Sequence, residues 1–455
     1  MIIAVLALCG IVVALMQTLI IPLVPVLPQI LNASAADASW AITATLLAGA
    51  VITPIAGRLG DMFGKRTILA LSLVSLIAGS VICALSSSLL PVIVGRALQG
   101  TAMGAIALGI SILRDELPPE RVGSAMAIMS ATLGVGGAIG MPVAATIAQK
   151  ADWHTLFWVS AGLGLLSLIL VLALIPESPV RTPARFDYVG AVGLSAALIA
   201  LLLAITKGGD WGWTSTTTLG LLAASVAIFV AWGFYELRTD APLVDLRVSS
   251  RPQVLFTNLA SISTGFAMFG MSLIPTQILM APTASGYGLG LSMIQAGIVL
   301  APAGLVMFFF SPVSARISAQ HGPRVTLAVG GAVIAAGYIF MLLLRGSVWE
   351  ILISTMIVGA GIGIAYAAMP ALIMGAVPIT ETAAANGLNS LMRAVGTSAS
   401  SAVVSVILAH MTIEVGPVVL PSSAGFDSTI GISIAAAAVT LLFTALIPRT
   451  PPVSA

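Results

Sequence analysis

Charge is what this sequence has least of. Asp, Glu, Lys and Arg make up 7% of its 455 residues, against roughly a quarter in an ordinary soluble domain. With 59% of the chain hydrophobic, there is too little polar material to cover a surface facing water. Cysteine is nearly absent as well. Cys9 and Cys83 fall inside long apolar runs, where they read as small buried hydrophobes, not as a disulfide or a metal pair. His154, His321 and His410 are scattered among loops and helix ends. Without His, Asp or Glu clustered at membrane depth, an embedded enzyme is disfavoured, and neither metal nor cofactor is expected. A phosphate-binding loop is missing too. Its nearest lookalike, Gly60 to Arg66, has three residues between its glycines where such a loop has four, and Arg66 where Ser or Thr would hold magnesium. ATP hydrolysis is thereby excluded, and with no segment longer than about twenty residues expected outside the membrane, no soluble catalytic domain is expected.

What the sequence has in abundance is long uncharged stretches. A hydrocarbon core about 30 Å thick takes roughly 20 apolar residues per helix. Fourteen such runs occur, near 2–24, 38–57, 67–87, 90–113, 123–147, 155–175, 188–206, 215–235, 253–280, 291–315, 325–344, 349–374, 383–409 and 428–447. They do not alternate apolar and polar residues, so a closed barrel is ruled out and an all-α membrane fold is expected. Met1 to Ile21 lacks a basic leader and runs into Pro22, Pro25 and Pro28, so it reads as the first helix, not a cleaved signal.

Basic residues are placed unevenly between alternate loops. Arg58, Lys65, Arg66, Arg114, Arg121, Arg181, Arg185, Arg238, Arg247, Arg251, Arg316, Arg324 and Arg449 share one side, against Lys150, Lys207 and Arg345 on the other. The first side is expected to be cytoplasmic, with both termini inside. Removing a single span would invert everything after it, so an even number is required. Twelve spans would result if 188–206 and 215–235 both lay flat, although each is long, uncharged and rich in Leu and Ala.

The most informative loop is Gly57-Arg58-Leu59-Gly60-Asp61-Met62-Phe63-Gly64-Lys65-Arg66. Its glycines allow a tight turn and close helix approach, and Asp61 suits a helix N-terminus, where the dipole favours an anion. Topology alone needs neither. The stretch resembles the loop signature of the major facilitator superfamily, in which it latches the two halves of a transporter on the cytoplasmic side. A weaker echo, Ser311-Pro312-Val313-Ser314-Ala315-Arg316 and then His321-Gly322-Pro323-Arg324, follows the tenth run and suggests duplicated halves. In the fourth run, Arg96 followed by Gln99 and Gly100 resembles the family's intramembrane Arg signature. A cation in lipid is costly unless it faces a cavity or a partner. Arg96 is therefore a candidate for substrate or proton coupling, with a structural Arg bonded to carbonyls as the alternative. Arg114 to Arg121 looks like the family's next cytoplasmic loop, which adds Asp115 and Arg121, with Glu120, to the expected latch. The alternative there is a solvated charge run.

Gly134, Gly136, Gly137, Gly140 and Pro142 in the fifth run are similar to the family's antiporter signature, but Gly140-Met141-Pro142 departs from its Gly-Pro order. Close helix packing explains them equally well. Phe186-Asp187-Tyr188-Val189-Gly190, Gly208 to Trp213 and Pro242 to Arg247 resemble the fourteen-helix drug:proton antiporter branch. That likeness implies a six-helix bundle over 1–180, two inserted helices over 181–250, and a second bundle over 251–455. Asn386, Gly387, Asn389, Arg393 and Gly396 are similar to the branch's second intramembrane Arg, and pseudosymmetry would set Arg393 facing Arg96, favouring anionic or zwitterionic cargo.

One departure bears on energy coupling. The branch often carries an acid in its first helix, whereas here Leu15-Met16-Gln17-Thr18-Leu19 has none, and all sixteen Asp and Glu residues lie in loops or at helix ends. A coupling proton would have to use Asp61 or Asp115, or ride on the substrate. Gln17, Gln99, Asn258, Gln277, Tyr366 and Asn389 are the polar candidates for a cavity otherwise rich in Met, Leu and Phe. That lining suits lipophilic cargo, with helix–helix hydrogen bonds as the alternative role for each.

The resemblance implies a proton-coupled exporter of lipophilic small molecules, drugs or metabolites, working by alternating access. An uncoupled facilitator or lipid carrier is the alternative. Its expected partners are the cargo, protons and the bilayer of the cell membrane, with no nucleic acid and no second subunit. Impermeant-maleimide labelling checks the topology: Arg121→Cys and Arg316→Cys should react only after permeabilisation, Lys150→Cys and Arg345→Cys in intact cells.

Overall fold

The structure is a computed structural model that describes the chain apart from residues 21–22, 24–26, 179–180, 182–184, 416–417 and 449–455. Side chains at 35, 36, 119, 141, 145, 148, 149, 415 and 418 are likewise not described. Pro22, Pro25 and Arg449 thus lie outside the described residues.

Among the described residues, fourteen main helices follow one another. The first half holds α1 (Ile2–Thr18), α2 (Trp40–Phe63), α3 (Lys65–Leu85), α4 (Leu89–Glu116), α5 (Pro119–Lys150) and α6 (His154–Leu174). Two further helices, α7 (Tyr188–Trp211) and α8 (Thr216–Glu236), come next. The second half holds α9 (Pro252–Met280), α10 (Met293–Phe309, continuing as Ser311–His321), α11 (Pro323–Leu343), α12 (Val348–Met374), α13 (Thr382–His410) and α14 (Ser423–Leu446). Thirteen of these are long and apolar enough to cross a membrane, and α1 is a shorter apolar helix among the described residues. The all-α architecture expected from the apolar runs is the one observed. One small difference is a hairpin, β1 (Thr412–Val415) against β2 (Val418–Pro421), paired antiparallel in the connection between α13 and α14.

Local chemistry sets the helix ends. Ser292 with Gln295 and Ser347 with Glu350 form reciprocal capping boxes at the starts of α10 and α12, satisfying amides that have no helical acceptor. Pro119, Pro252 and Pro323 open α5, α9 and α11, where a missing N–H costs nothing. Gly64 (φ +107) separates α2 from α3 and Gly322 (φ +85) separates α10 from α11. Only glycine takes that conformation without strain, and its recurrence at matching places in the two halves is the structural form of the repeated loop.

Each half has its own apolar core. One is built around Leu6, Leu69, Leu73, Leu76, Leu108 and Met129, the other around Ile274, Leu327, Ile334, Tyr338, Ile362 and Ile430. The halves meet where α2 crosses α13 and where α5 crosses α10 and α12. In the second crossing, backbone touches backbone. A Cβ on Gly134 would lie 2.8 Å from the Gly304 carbonyl oxygen, and one on Gly304 would strike the Gly134 carbonyl in return.

The α7–α8 hairpin lies outside both bundles. Leu194, Leu198 and Leu202 of α7 pack with Ala50 of α2 and Leu391 of α13, so this helix touches both halves. Lys207 bonds the Ser39 hydroxyl just before α2 and sits 5.2 Å from the Trp40 ring centroid. At the other end, the Asp187 carboxylate accepts from Gly190 N at 2.8 Å and from the Tyr235 hydroxyl at 3.0 Å, tying α7 to α8. Most of α8 faces outward.

The glycine crossing gives a check on the fold. Gly304→Val should destabilise the chain by about 1–3 kcal/mol through overpacking, read as a lower apparent melting temperature in detergent. Gly137→Ala, whose new methyl would meet nothing within 4 Å, should leave that temperature unchanged.

Candidate functional site

One polar centre and a pair of cavities lie along the seam between the halves, and a second polar centre lies within the first half. The first centre is at the arginine-rich end. The Asp61 carboxylate, at the end of α2, accepts from Ala384 N at 2.9 Å and Ala383 N at 3.3 Å. These are first-turn amides of α13 without helical acceptors, and the anion also meets the positive end of that helix's dipole. The Lys65 ammonium, fully buried, donates to Asp115 Oδ2 at 2.6 Å and Thr382 Oγ1 at 3.2 Å, and lies 3.7 Å from Asp61 Oδ1. Ser178 donates to the same Asp115 oxygen at 2.5 Å. Charges carried by α2, α3 and α4 therefore close around the first turn of a helix from the other half.

Glycines make that approach sterically available. A Cβ on Gly57 would run into the Ala383 carbonyl, and one on Gly387 would sit 2.8 Å from the Thr53 carbonyl oxygen. Gly60 packs against Leu108, and Gly64 leaves room for Glu177. Arg58 is buried beside this contact. Arg66 points elsewhere: its guanidinium bonds the Leu172 carbonyl and its N–H donates to Glu177 Oε1 at 3.3 Å, ties internal to the first half. The Arg121 side chain is exposed and makes none of the described latch contacts.

Arg96 forms the second centre. It is 1% exposed. Its Nε donates to the Ala41 carbonyl at 3.1 Å, and Nη1 to the Met16 carbonyl at 3.3 Å and to Gln99 Oε1 at 2.8 Å. Gln99 in turn donates to Ser80 at 2.8 Å, which bonds Ser160 at 3.2 Å. This network ties together α1, α2, α4, α3 and α6, all of one half. Gly100 brings α4 against the Thr45 carbonyl of α2. Arg96 lines neither described cavity, so it does not face Arg393 across open space, because three acceptors within its own bundle already hold it.

Arg393 differs. It lines a cavity of ≈ 120 Å³ shared by Gln17 of α1, Thr53 of α2, Met103 of α4, Met268 of α9, Tyr366 of α12, and Ser390 and Thr397 of α13. Its Nη2 donates to Ser390 Oγ at 2.8 Å, its guanidinium carbon lies 4.8 Å from the Tyr366 ring centroid, and Nη1 has no protein partner. A second cavity of ≈ 120 Å³ adjoins it across Leu133 and Met268, and is lined by Thr18, Gly134, Gly137, Met271, Gly304, Met307 and Thr355 among others. Along α2 and α13 the first cavity occupies positions 46–53 and 390–398, beyond the latch at 57–61 and 382–387.

Of the remaining polar candidates, Asn389 donates to Asn258 Oδ1 at 2.9 Å and to Ser261 at 2.8 Å, a bond between α13 and α9. Gln277 is partly buried and lines neither cavity. In α5, Gly136 packs on Ala14 and Gly140 on Thr18, both of α1, while Gly137 opens on the second cavity and Pro142 lies within the helix.

Two halves of this kind, joined at a latch and enclosing a central cavity, suggest a relationship that sequence comparison decides: the family model described as Major Facilitator Superfamily matches residues 6–401. The chain belongs to the Major Facilitator Superfamily. Among its relatives is the tetracenomycin C resistance and export protein of Streptomyces glaucescens, 30% identical over 416 residues that cover 89% of this chain and 75% of that protein. An uncharacterized MFS-type transporter of Mycobacterium tuberculosis is 28% identical over 395 residues, 85% of this chain and 56% of the relative, so the chain spans little more than half of that longer protein. Multidrug resistance protein 3 of Bacillus subtilis is 25% identical over 371 residues, 79% of this chain and 70% of the relative. The fold matches that of the human organic anion transporter MFSD10 with a TM-score of 0.70 and 15% identity, covering 98% of this chain and 99% of the other. The proton:xylose symporter XylE aligns with a TM-score of 0.66 and 14% identity, over 98% and 95% of the two chains.

Within this superfamily member, Lys65 is the latch residue that motif reading passed over, since a lysine in a basic loop reads as a topology signal. The available cue was its spacing of four from Asp61. Replacing it tests the cluster. Lys65→Met leaves two buried carboxylates without their cation and should cost about 3–5 kcal/mol. Adding Asp115→Asn should recover part of that loss, both read from thermal unfolding in detergent.

Proposed function

We propose that this superfamily member is an exporter that exchanges lipophilic small molecules for protons by alternating access. It would sit in the cytoplasmic membrane as a monomer with both termini inside. The observation that carries this reading is the position of the cavities. They draw on both halves, are lined largely by Met, Leu, Gly and Thr, and lie beyond a charged latch at the arginine-rich end. A lining of apolar area with a few polar groups suits amphipathic cargo. The names of the relatives, tetracenomycin C export and multidrug resistance, support both the direction and the cargo class.

No Asp or Glu lines either cavity among the described residues, so this reading gives the coupling proton to the latch. An ionised Asp61 is attracted to the amides and dipole at the start of α13. In this reading the proton comes from the outer side by way of the cavities while this end is closed. Once Asp61 holds it, that attraction falls, the seam loosens, the halves part toward the cytoplasm, and the proton leaves there as cargo enters. Lys65 and Asp115 keep the surrounding charge nearly balanced in the closed form. The same lack of a cavity acid favours a second reading, an uncoupled facilitator.

Proteoliposomes holding the full chain separate the two. With an imposed pH gradient, a lipophilic dye should accumulate uphill, an uncoupler should collapse the accumulation, and Asp61→Asn should lower the gradient-driven rate about tenfold or more. Dye flux indifferent to the gradient would reject proton coupling and leave the facilitator.

A further inference from the structure

We propose that Arg393 is the binding site for the anionic group of an amphipathic organic acid whose apolar body lies in the adjoining methionine-lined cavity. The inference takes the two cavities to be the transport site, and so rests on the reading above. It concerns what they bind.

The argument is one of charge balance. Away from the latch, two arginines among the described residues are buried within helices, Arg96 and Arg393, and they are treated differently. Arg96 spends its donors on two carbonyls and a glutamine oxygen and lines neither described cavity. Among the described residues Arg393, 6% exposed, has one bond, to the Ser390 hydroxyl, while Nη1 is buried without a partner and the group borders open volume. A guanidinium offers five N–H donors in a rigid fork, and a buried cation needs a counter-charge. None comes from the protein, since no Asp or Glu lines the cavity among the described residues. The remaining neighbours orient the fork without neutralising it: the Tyr366 ring lies 4.8 Å from the guanidinium carbon, a cation–π contact, and Ser390 fixes Nη2.

Such a fork matches a carboxylate, sulfonate or phenolate, the anions that accept two parallel N–H bonds or one strong one. Beyond Leu133 and Met268, the second cavity adds Met271 and Met307. Thioether side chains adapt to flat or irregular apolar bodies. The combined site therefore selects a molecule with an acidic group at one end and an apolar, ring-sized body at the other.

The test uses the full chain in lipid nanodiscs and two xanthene dyes, anionic fluorescein and cationic pyronin Y, followed by fluorescence anisotropy near neutral pH. Fluorescein should bind saturably and more tightly than pyronin Y. Arg393→Gln should weaken fluorescein about tenfold or more without weakening pyronin Y, and Arg393→Lys should restore most of the affinity. Fluorescein binding that is absent, unchanged in Arg393→Gln, or weaker than pyronin Y binding overturns the proposal. If Arg393→Gln fails to fold, competition on the wild-type chain decides: naphthoate should displace fluorescein about tenfold more effectively than naphthalenemethanol, and equal displacement overturns the site. Arg393-dependent binding without fluorescein flux in proteoliposomes removes the export reading and leaves the anion site. Dye flux without Arg393-dependent binding does the reverse.

Discussion

A carboxylate resting on the first amides of a helix from the other half is the contact through which this architecture is organised. Asp61 bonds Ala383 N and Ala384 N, groups that in hydrocarbon would otherwise have no partner. Because the bond is made to backbone ends, it depends on where α13 begins, and so fixes the register of that helix against α2. Gly57 and Gly387 then become necessary, since any side chain there would hold the helices apart. Lys65 and Asp115 follow from the same contact: a lone anion buried at this depth requires a cation, and that cation in turn requires a second anion to share.

The same accounting of buried charge explains the contrast between the two intramembrane arginines. Lipid offers no water, so each must find its acceptors in protein or in a cavity. For Arg96 the carbonyls of Met16 and Ala41 are within reach because Gly100 lets α4 lie close to α2. It is a structural tie through one bundle. Arg393 sits at a crossing where its neighbours are Tyr366 and Ser390, and its remaining donors border the seam. Identical chemistry is thus bonded within its own bundle in one half and, among the described residues, left partly unpaired beside a cavity in the other.

Much of this was legible from residue order, and what was not has a physical cause. The apolar runs marked the helices well because the thickness of the hydrocarbon sets their length. The end of α2 was less clear. Charge at Arg58 and Asp61 suggests water after residue 57, yet the helix continues to Phe63, with both side chains buried and Asp61 bonded to the first turn of α13. The β1–β2 hairpin depends on short local pairing that leaves little pattern. Asp61 stood out because a loop that merely sets topology has no use for an acid framed by Gly57, Gly60 and Gly64. Lys65 did not, and neither did the different surroundings of Arg96 and Arg393, since which carbonyls reach a guanidinium is decided by helix crossings far apart in sequence. Asn258 and Asn389 could have lined a cavity or joined two helices, and only the packing of α9 on α13 distinguishes these.

The α7 helix is held to both bundles, but by unlike means. Its ends are pinned by directional bonds, Lys207 to Ser39 before α2 and Asp187 to Tyr235 of α8, whereas along its length Ala191, Leu194, Leu198 and Leu202 pack on apolar side chains of α2 and α13, among them Ala50, Val51, Leu391 and Met392. Directional bonds break when stretched; a greasy contact can slide by a fraction of an ångström at little cost. The directional bond from α7 to a bundle therefore goes to the first half, at Ser39, while its contact with α13 is apolar. Placed this way, α7 lies across the crossing of α2 with α13 and covers its outer side.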